Sequence, residues 1–518
     1  MSAALRLAVV SAAPHWPRWA AEMLAAVLAL PGSSWVCWHG LAQPDLGLGP
    51  LQRWYVRADR RLLGERPGYE GAQAAPAGAP AMQAAAWAQR GDTLQVPDSV
   101  LRDWEQAGID LVIWLAPLAP ALARPPQLRH GVWALAIEGR CASHPYAGAA
   151  GVRAEPHLVE TSVLDYAGSP PRVLYRSVGS AYPNSLSRSR RRALSKGLTF
   201  MARCLAPAPS MPALLNAPPA PGPAPSALGL ALAVGAEVLR NRWLKWRYRD
   251  QWQIAWTFDA APGWDELERF HALAPPPDRF WADPMPLYWQ GKHWILFEEL
   301  IYAEGKGRLL ALEVRADGSH GAPQPLMEQD YHLSYPFVVA QGEELYMIPE
   351  LQQARRVVLY RCTGFPGQWT EVAVLLEGVN AVDATVFKHS DGRWWMWVSV
   401  VAEGAECGEE LSLYYADALA GPWRPHAANP VLSDIRCARP GGPLLQTAEG
   451  LLRPAQNSGR HYGEFIEWCR VEQLSPTEYR ETALGRLAPQ PGGGRLRMHT
   501  VAAAHGLRVA DVMVRRRR

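Results

Sequence analysis

Residues 279–299 read RFWADPMPLYWQGKHWILFEE. Two apolar runs flank a polar turn at Gln290-Gly-Lys292, and this pattern predicts a β-hairpin. The first run contains Asp283 directly before a proline, and the second run ends in Glu298 and Glu299. A hairpin alone is only marginally stable in water, so this one needs further strands beside it.

Similar stretches recur towards the C-terminus. They are SYPFVVAQGEELYMIPE (334–350), VDATVFKHSDGRWWMW (382–397), RPGGPLLQTAEGLLR (439–453) and the weaker HTVAAAHGLRV (499–509). Aligning Asp283, Tyr335, Asp383, Arg439 and His499 gives steps of 48 to 60 residues. A period of roughly 50 residues with several strands per repeat is typical of a propeller. The sequence therefore predicts a five-bladed β-propeller over residues 250–518, with the alternating stretch 251–258 closing the ring.

The N-terminal 205 residues have a different pattern. Short, continuous apolar stretches such as Asp110-Leu-Val-Ile-Trp-Leu115 alternate with helical ones, which predicts a Rossmann-type α/β domain with a parallel sheet. Residues 206–249 follow as a Pro/Ala linker and a connecting helix. The predicted fold class is therefore multidomain, an α/β domain followed by an all-β propeller.

Composition and missing motifs narrow the function. The net charge of +3 gives no reason to expect a nucleic-acid partner. Seven cysteines without a CxxC pair predict reduced thiols and a cytoplasmic protein. HExxH, DxDxDG and phosphate-loop motifs are absent, so we predict no metal and no cofactor. Residues 240–249 are basic and aromatic, which predicts either a helix packed between domains or a peripheral membrane contact.

The stretches Ile109-Asp-Leu-Val-Ile-Trp-Leu115 and His130-Gly-Val-Trp-Ala-Leu135 resemble the strand before the catalytic loop of formyltransferases that use a folate donor. The resemblance implies a formyltransferase-like domain over residues 1–205. That family's loop carries an Asn-x-His pair, whereas residues 134–145 here read ALAIEGRCASHP. Without the pair, formyl transfer loses its proton shuttle and its oxyanion support, so we expect a degenerate domain. A sugar formyltransferase using His130 or His144 is the remaining alternative.

A second resemblance covers about residues 250–490. It rests on Asp283-Pro284, HLSYPF (332–337), YMIPE (346–350), GPWRPHAANP (421–430), ARPGG (438–442) and LRPAQ (452–456). These motifs resemble, in order, the N-terminal propeller domain of plant glucosamine inositolphosphorylceramide transferases and their bacterial relatives. In the plant enzymes, the resemblance implies, sugar transfer belongs to a separate C-terminal domain. We therefore expect a role in cell-surface polysaccharide or glycolipid biosynthesis, either as a carbohydrate-active or carbohydrate-binding propeller or as a non-catalytic scaffold that partners a separate glycosyltransferase.

Propellers of this kind also resemble glycoside hydrolases of the arabinanase and xylosidase type, which place acids from different blades around one funnel. One carboxylate activates water and another group protonates the leaving oxygen. On this resemblance Asp283, Asp383 and Glu350 are the predicted catalytic residues. The alternative for Asp283 is structural, because an aspartate before proline also ends strands and accepts local hydrogen bonds.

The fourth repeat offers Arg439 where those hydrolases have a third acid. Arginine binds carboxylates and phosphates through two parallel hydrogen bonds, so the predicted ligand is an anionic or phosphorylated glycan or sugar phosphate. A structural salt-bridge cluster is the competing interpretation. The predicted substrate-binding residues are Trp281, Glu299, His332, Tyr335, Arg439, Arg453 and Gln456, with Trp281 expected to stack on a sugar ring.

Overall fold

The computed structural model describes residues 4–12, 16–42, 44–64, 70–154, 157–206, 225–259, 264–401, 408–490 and 492–518. Contacts within the chain separate it into two compact units. Of the described residues, the first unit contains those from 4 to 240 and the second those from 241 to 518. The predicted linker falls largely on residues 207–224, outside the described residues, so the predicted domain boundaries stay predictions.

The first unit is an α/β structure. Its strands are β1 (Leu5–Ala12), β2 (Trp16–Pro17), β3 (Ser33–Leu41), β4 (Ala72–Gln73), β5 (Met82–Ala85), β6 (Gln89–Arg90), β7 (Thr93–Val96), β8 (Leu111–Trp114), β9 (Ala119–Leu122), β10 (Gly131–Ile137), β11 (Arg140–Cys141), β12 (Leu158–Asp165) and β13 (Arg172–Ser180). Its helices are α1 (Arg18–Leu28), α2 (Pro50–Leu62), α3 (Asp98–Gln106), α4 (Ala149–Arg153), α5 (Leu186–Gly197) and α6 (Phe200–Cys204). Helix α7 (Ala227–Arg247) begins in this unit and ends in the second.

One sheet organises this unit, with the strand order β13-β12-β10-β8-β1-β3-β5. The five strands from β10 to β5 are parallel, and β12 and β13 run antiparallel at one edge. Strands β8 and β10 are buried along their whole length, because apolar side chains on both faces are covered. The predicted α/β sheet is therefore present, while the formyltransferase likeness stays a prediction.

The second unit is built from antiparallel sheets, five of them in its described residues. The first contains β14 (Tyr248–Thr257), β15 (His271–Leu273), β33 (Arg495–Arg497), β34 (Val501–Ala504) and β35 (Leu507–Arg517). Three four-stranded sheets follow. The second sheet contains β16 (Arg279–Trp289), β17 (Lys292–Ile301), β18 (Lys306–Val314) and β19 (Gln324–Met327), and the third contains β20 (Ser334–Gln341), β21 (Glu344–Glu350), β22 (Arg356–Gly364) and β23 (Gln368–Glu377). The fourth contains β24 (Ala381–Lys388), β25 (Trp394–Val400), β26 (Leu411–Ala416) and β27 (Arg424–Pro425). The last contains β28 (Arg439–Pro440), β29 (Leu445–Thr447), β30 (Gly450–Asn457), β31 (Phe465–Leu474) and β32 (Tyr479–Leu487).

These sheets contact one another in cyclic order, as in a propeller. The first strand of each sheet contacts the first strand of the next, from β16 through β20 and β24 to β28, and β16 also contacts β34 and β35. The backbone N–H of Val501 donates to the carbonyl of Gly441 at 2.9 Å, which joins the last repeat to the sheet before it. Strands β14 and β35 pair over ten residues, so both ends of the unit meet in one sheet. Ring closure leaves no exposed sheet edge at this seam.

The opening hairpin forms as the sequence predicts. Strands β16 and β17 pair antiparallel through a two-residue turn at Gln290 and Gly291. Both turn residues have positive φ, 51° and 77°, and this geometry matches the twist of the flanking strands. No helix in the described ranges is long and apolar enough to span a bilayer.

Candidate functional site

Three innermost strands share one local distortion. The pairing register shifts between Ala282 and Met285 in β16, between Ser334 and Phe337 in β20, and between Val382 and Thr385 in β24. Each bulge contains a non-glycine residue with positive φ: Asp283 at 51°, Tyr335 at 45° and Asp383 at 55°. A bulge redirects a side chain, and backbone strain of this kind clusters at functional sites. The repeats therefore bring Asp283, Tyr335 and Asp383 together through the same device.

Asp283 lies in a closed network of hydrogen bonds. Its Oδ1 lies 3.1 Å from His499 Nε2 and accepts the Thr500 hydroxyl at 2.8 Å. Its Oδ2 accepts the backbone N–H of Tyr335 at 3.3 Å. Burial alone would raise the pKa of Asp283, but the positive charge and hydrogen bond of His499, with the Thr500 hydroxyl, hold it below its usual value. Asp283 is therefore an ionised, fully engaged carboxylate.

His499 bridges two carboxylates. Its Nδ1 lies 3.0 Å from Asp511 Oδ2, on the side of the ring opposite Asp283. Asp511 is held in turn by the backbone N–H groups of His499 and Thr500, at 2.8 and 2.9 Å. Burial opposes the charge on the imidazole, but Asp511 and Asp283 outweigh it and raise the pKa of His499 to about 10. A protonated histidine therefore lies between the two aspartates.

The same three residues are the best candidates for holding a metal ion. One donor atom from each of Asp283, His499 and Asp511 lies within 4.8 Å of the others. Both ring nitrogens of His499 face carboxylate oxygens, which suits a protonated imidazole. The same donor set could also hold an ion on one ring nitrogen while the other ring N–H donates to a carboxylate, as is usual for metal-bound histidines.

A second network centres on Asp383. Arg439 Nε donates to Asp383 Oδ2 at 2.5 Å, and its Nη2 donates to Oδ1 at 3.3 Å. Gln456 Nε2 donates to Asp383 Oδ2 at 2.9 Å and to the carbonyl of Pro440 at 2.8 Å. The charge of Arg439 is thus paired within the protein, as the competing interpretation of a structural salt-bridge cluster predicts, and its contact with an anionic sugar stays a prediction.

Two glutamates complete the cluster. Burial and the neighbouring negative charge of Asp383 raise the pKa of Glu350 well above its usual value, against the opposing charge of Arg439. Burial and the negative charge of Asp283 do the same for the pKa of Glu298. Both shifts favour the protonated carboxyl group. The central cluster, meaning Asp283, Glu298, Glu350, Asp383, Arg439, Gln456, His499 and Asp511, then contains three carboxylates and only two cations.

Three oxygens of this cluster have unused hydrogen-bonding capacity. Glu298 Oε1, Glu350 Oε2 and Gln456 Oε1 are buried and accept or donate no hydrogen bond within the described part of the chain. Buried polar atoms are almost always paired, either with protein or with another molecule. An ordered water or the hydroxyl group of a ligand would satisfy them.

Two further predicted residues belong to this neighbourhood. The Tyr335 hydroxyl lies 2.7 Å from the Thr385 hydroxyl, and its backbone binds Asp283. His332 Nε2 lies 3.5 Å from Glu298 Oε1, while its Nδ1 accepts the backbone N–H of Gly307 at 2.9 Å. Burial lowers the pKa of His332, so its imidazole is neutral.

The structure places Trp281 and Glu299 elsewhere. Glu299 Oε2 accepts from the Trp281 indole at 3.0 Å and from Arg279 at 3.1 Å, and its Oε1 accepts from Arg308. These side chains line a separate cavity of 590 Å³ beside β18 and β19. Successive residues of a strand point to opposite faces, so Glu299 faces this cavity while Glu298 faces the cluster. Glu299 and Trp281 therefore lie outside the central cluster, and their predicted contact with a ligand stays a prediction.

Arg453 is also absent from the cluster. It is fully buried, donates to Glu481 on β32 at 2.8 and 2.5 Å, and donates to the carbonyl of Cys437 at 2.8 Å. The pair links β30 to β32 across the intervening strand β31 of the same sheet. Arg453 thus lies in an internal ion pair away from the central cluster, and its predicted contact with a ligand stays a prediction.

An exposed aromatic side chain borders the cluster, and the sequence prediction missed it. Tyr462, in the loop between β30 and β31, is 46% exposed. Its ring centroid lies 5.2 Å from that of His499, and Arg439 lies over its face at 5.2 Å. The half-buried Trp252 packs on His499 at 4.3 Å. The one available signal was the position of Tyr462 between Gly459 and Gly463, directly after the fourth repeat.

Residues 272–512 match the family model of the N-terminal region of glucosamine inositolphosphorylceramide transferase 1. The matched range contains every member of the central cluster. The predicted resemblance of the propeller to this family is confirmed by that match.

Plant proteins of the same name are similar over part of the chain. The glucosamine inositolphosphorylceramide transferase 1 of Oryza sativa subsp. japonica is 32% identical over 210 residues, which are 40% of this chain and 28% of the rice protein. The Arabidopsis thaliana protein is 32% identical over 209 residues, 40% of this chain and 27% of that protein. The chain thus aligns with little more than a quarter of either relative.

Solved structures with similar sheets are glycoside hydrolases. A family-43 β-xylosidase/α-arabinofuranosidase from a compost microbial metagenome is 13% identical with a TM-score of 0.34, over 46% of this chain and 90% of that one. The GH43_1 enzyme from Xanthomonas citri is 12% identical with a TM-score of 0.34, over 45% and 87%. The propeller assignment rests on the strand pairing described above.

Proposed function

We propose that the propeller binds a glycan over the central cluster and serves cell-surface polysaccharide or glycolipid biosynthesis. The observation that carries this proposal is the set of three unpaired buried oxygens, on Glu298, Glu350 and Gln456, beside the exposed ring of Tyr462. Sugar rings present hydroxyl groups at their edges and apolar C–H faces that pack on aromatic rings. The cluster offers partners for both.

The charge of the cluster favours a neutral or amino sugar. Arg439 is already paired with Asp383, and three carboxylates face two cations. A phosphate placed here would meet a surplus of negative charge, which disfavours the anionic ligand that the sequence predicts. An ammonium group would be attracted instead. The name of the plant relatives refers to glucosamine, which is an amino sugar.

Binding without hydrolysis fits the engaged aspartates. Both oxygens of Asp283 and both of Asp383 accept hydrogen bonds from the protein itself. A general base must accept the proton of an attacking water, and these contacts compete with that role. We therefore propose a glycan-binding propeller that works beside a separate glycosyltransferase.

Glycoside hydrolysis is the alternative with a specific observation in its favour. The pKa of Asp283 is lowered and that of Glu350 is raised, and a divergent pair of carboxyl groups is the usual basis for a base and an acid in glycosidases. In this alternative Glu350 protonates the leaving oxygen. Release of reducing sugar from a bound glycan, abolished in Glu350→Gln, would establish it.

The test of binding is an array of neutral, amino-bearing and phosphorylated glycans and sugar nucleotides probed with the full chain. We expect binding to neutral or amino sugars and a loss of about tenfold or more in Tyr462→Ala, since one aromatic contact contributes roughly 1–2 kcal/mol. Tyr288→Ala is the matched control, because Tyr288 is equally exposed but lies at the far end of β16. Asp283→Asn and Asp383→Asn, checked for folding, should also weaken binding. Unchanged binding in Tyr462→Ala, or preference for phosphorylated glycans, would contradict the proposal.

A sugar formyltransferase in the first unit is the second alternative. Glu138 follows β10 with positive φ, and its carboxylate accepts the backbone N–H groups of Ala150 and Gly151. Burial raises its pKa to about 7. His144 is buried nearby in the loop, and burial lowers its pKa to about 4. Calorimetric titration with a reduced folate decides this alternative, because a chain that binds no folate cannot use it as a donor.

A further inference from the structure

A cavity of about 220 Å³ lies in the first unit, at the carboxyl ends of two central strands. Its lining includes Ser11 and Ala12, the last two residues of β1, and Leu115, which directly follows β8. Strands β1 and β8 are parallel neighbours, but β3 lies on the far side of β1 and β10 on the far side of β8. The chain therefore builds the sheet outwards in opposite directions from this pair. In open α/β sheets, ligands bind in the crevice at such a point.

The cavity has a buried hydrogen-bond donor without a protein partner. Trp16 lines it and is 1% exposed, and its indole N–H donates no hydrogen bond within the described part of the chain. The ring packs on Trp35 and Trp38, with centroids at 5.4 and 5.6 Å. Both neighbours use their own N–H groups, since Trp35 donates to the carbonyl of Cys37 at 2.9 Å and Trp38 donates to the hydroxyl of Ser11 at 2.7 Å. A buried indole N–H usually has a partner, so that of Trp16 is left for a water or a ligand in this cavity.

Two serine hydroxyls add to the hydrogen-bonding groups of the lining. Ser11 Oγ accepts the Trp38 indole, which leaves its own O–H to donate. Ser143 Oγ donates to the carbonyl of Leu115 at 2.5 Å, which leaves its lone pairs to accept. Together with Trp16, the lining therefore offers two donors and one acceptor. The other described lining residues are apolar: Ala12, Pro17, Pro44, Leu46, Leu115 and Pro117.

We propose that this cavity binds the pyrimidine base of a nucleoside or nucleotide. The described lining residues are all uncharged, which suits a neutral group, and their proline, leucine and tryptophan side chains suit the faces of a flat ring. Uracil and cytosine each present two acceptors and one donor on their base-pairing edge, which complements two donors and one acceptor. Guanine presents one acceptor and two donors on that edge and adenine one of each, and both purines are larger.

The test is isothermal titration calorimetry of the full chain with uridine, cytidine, adenosine and guanosine. We expect the two pyrimidine nucleosides to bind and the two purine nucleosides to bind more weakly. Trp16→Phe keeps an aromatic ring but removes the unpaired N–H, so it should lower the affinity for uridine about three- to tenfold, as loss of one neutral hydrogen bond does. The matched control is Trp35→Phe, which removes the indole N–H bound to Cys37 in the same aromatic cluster and should leave the affinity unchanged.

A second variant tests the cavity by filling it. Ala12→Leu places a larger side chain in the lining, so it should lower the affinity for uridine by about tenfold or more. Circular dichroism checks that each variant keeps its secondary structure. Titration with uridine diphosphate distinguishes the source of the base, because tighter binding than uridine identifies a nucleotide and equal binding identifies a nucleoside.

Four results would overturn the proposal. The first is no binding of either pyrimidine nucleoside at millimolar concentration, and the second is a purine nucleoside that binds as tightly as uridine. The third is an affinity for uridine that is the same in Trp16→Phe and in wild type. The fourth is binding of uridine diphosphate without binding of uridine, because the phosphates and not the base would then be recognised. None of these results depends on glycan binding by the propeller, so this proposal and the proposed function fail separately.

Discussion

Replacing His499 by glutamine removes the cation at the centre of the propeller while keeping a side chain of similar size. The imidazole lies between Asp283 and Asp511, at 3.1 and 3.0 Å, with the rings of Trp252 and Tyr462 against it and Glu298 nearby. The two carboxylates raise its pKa from 6.5 to about 10. Because the unfolded chain has the ordinary value, the protonation of His499 is linked to folding.

The sign and size follow from that difference. A group whose pKa is raised by folding contributes its full stabilisation below its unfolded pKa and loses it as pH rises towards the folded pKa. Here the window runs from pH 6.5 to about 10. One proton gives a slope of about 1.4 kcal/mol per pH unit, so the contribution of His499 falls by roughly 2 kcal/mol between pH 7 and pH 8.5. The full contribution is on the order of 5 kcal/mol.

The assay is urea denaturation of wild type and His499→Gln at several pH values from 7 to 8.5. The two units can unfold in separate transitions, so the transition that the substitution shifts is the one to compare. We expect the variant to be clearly less stable at pH 7 and the gap between the two proteins to narrow by about 2 kcal/mol at pH 8.5. His505→Gln, at an exposed histidine of the same sheet, is the control and should leave the gap near zero.

A gap that stays constant over this range would show that His499 does not carry the linked proton. A gap that widens with pH would point to a metal ion instead, because a metal needs the neutral imidazole and binds more tightly as pH rises. Titration with a chelator at pH 8.5 separates these cases, since only a metal-bound protein would lose stability.

The other predictions concern neighbouring charges and use thermal denaturation with glycan binding as the second readout. Glu350→Gln should change the free energy of unfolding by less than about 1 kcal/mol, because the raised pKa of the buried carboxyl group favours its neutral form. Asp383→Asn should lower the free energy of unfolding by about 3–5 kcal/mol, because it leaves Arg439 unpaired. Equal losses in the two variants would contradict the assigned charges. Arg453→Met should lower the free energy of unfolding by about 3–5 kcal/mol, because it leaves the charge of Glu481 buried without a partner. The double variant Arg453→Met/Glu481→Met should recover most of that lost stability and leave glycan binding unchanged. Glu299→Gln should lower stability by about 1–3 kcal/mol without weakening glycan binding, and weakened binding would mean that its cavity belongs to the ligand site.

Local patterns made the hairpin predictable. The turn residues Gln290 and Gly291 and the flanking apolar runs are neighbours in sequence, so their structure depends on short-range sterics. The repeat spacing extended the same unit to further sheets. The positive φ at Tyr335 could not be predicted, because tyrosine rarely adopts that conformation and only its place in the ring imposes it.

The site was predictable only where the repeats align. Asp283 and Asp383 occupy equivalent bulges, and aligning the repeats predicted both. Glu298 was missed because the choice between it and Glu299 depends on strand register, which a bulge shifts by one residue. Asp511 belongs to the cluster and Tyr462 borders it, but neither is at an aligned repeat position. Their contacts are with residues far away in the sequence, which leave no local signal.

Arg439 shows how one residue changes the chemistry of the whole centre. At the aligned position in the fourth repeat it donates two hydrogen bonds to Asp383, which lies 56 residues earlier. An acid there would add a negative charge beside Asp383 and raise the pKa of one of the two, as a proton donor for hydrolysis requires. The arginine instead fixes Asp383 as its counter-ion and leaves the protonated Glu350 to offer hydrogen bonds. In the proposed function this centre orients sugar hydroxyls, because the charges of Asp383 and Arg439 are already committed to each other.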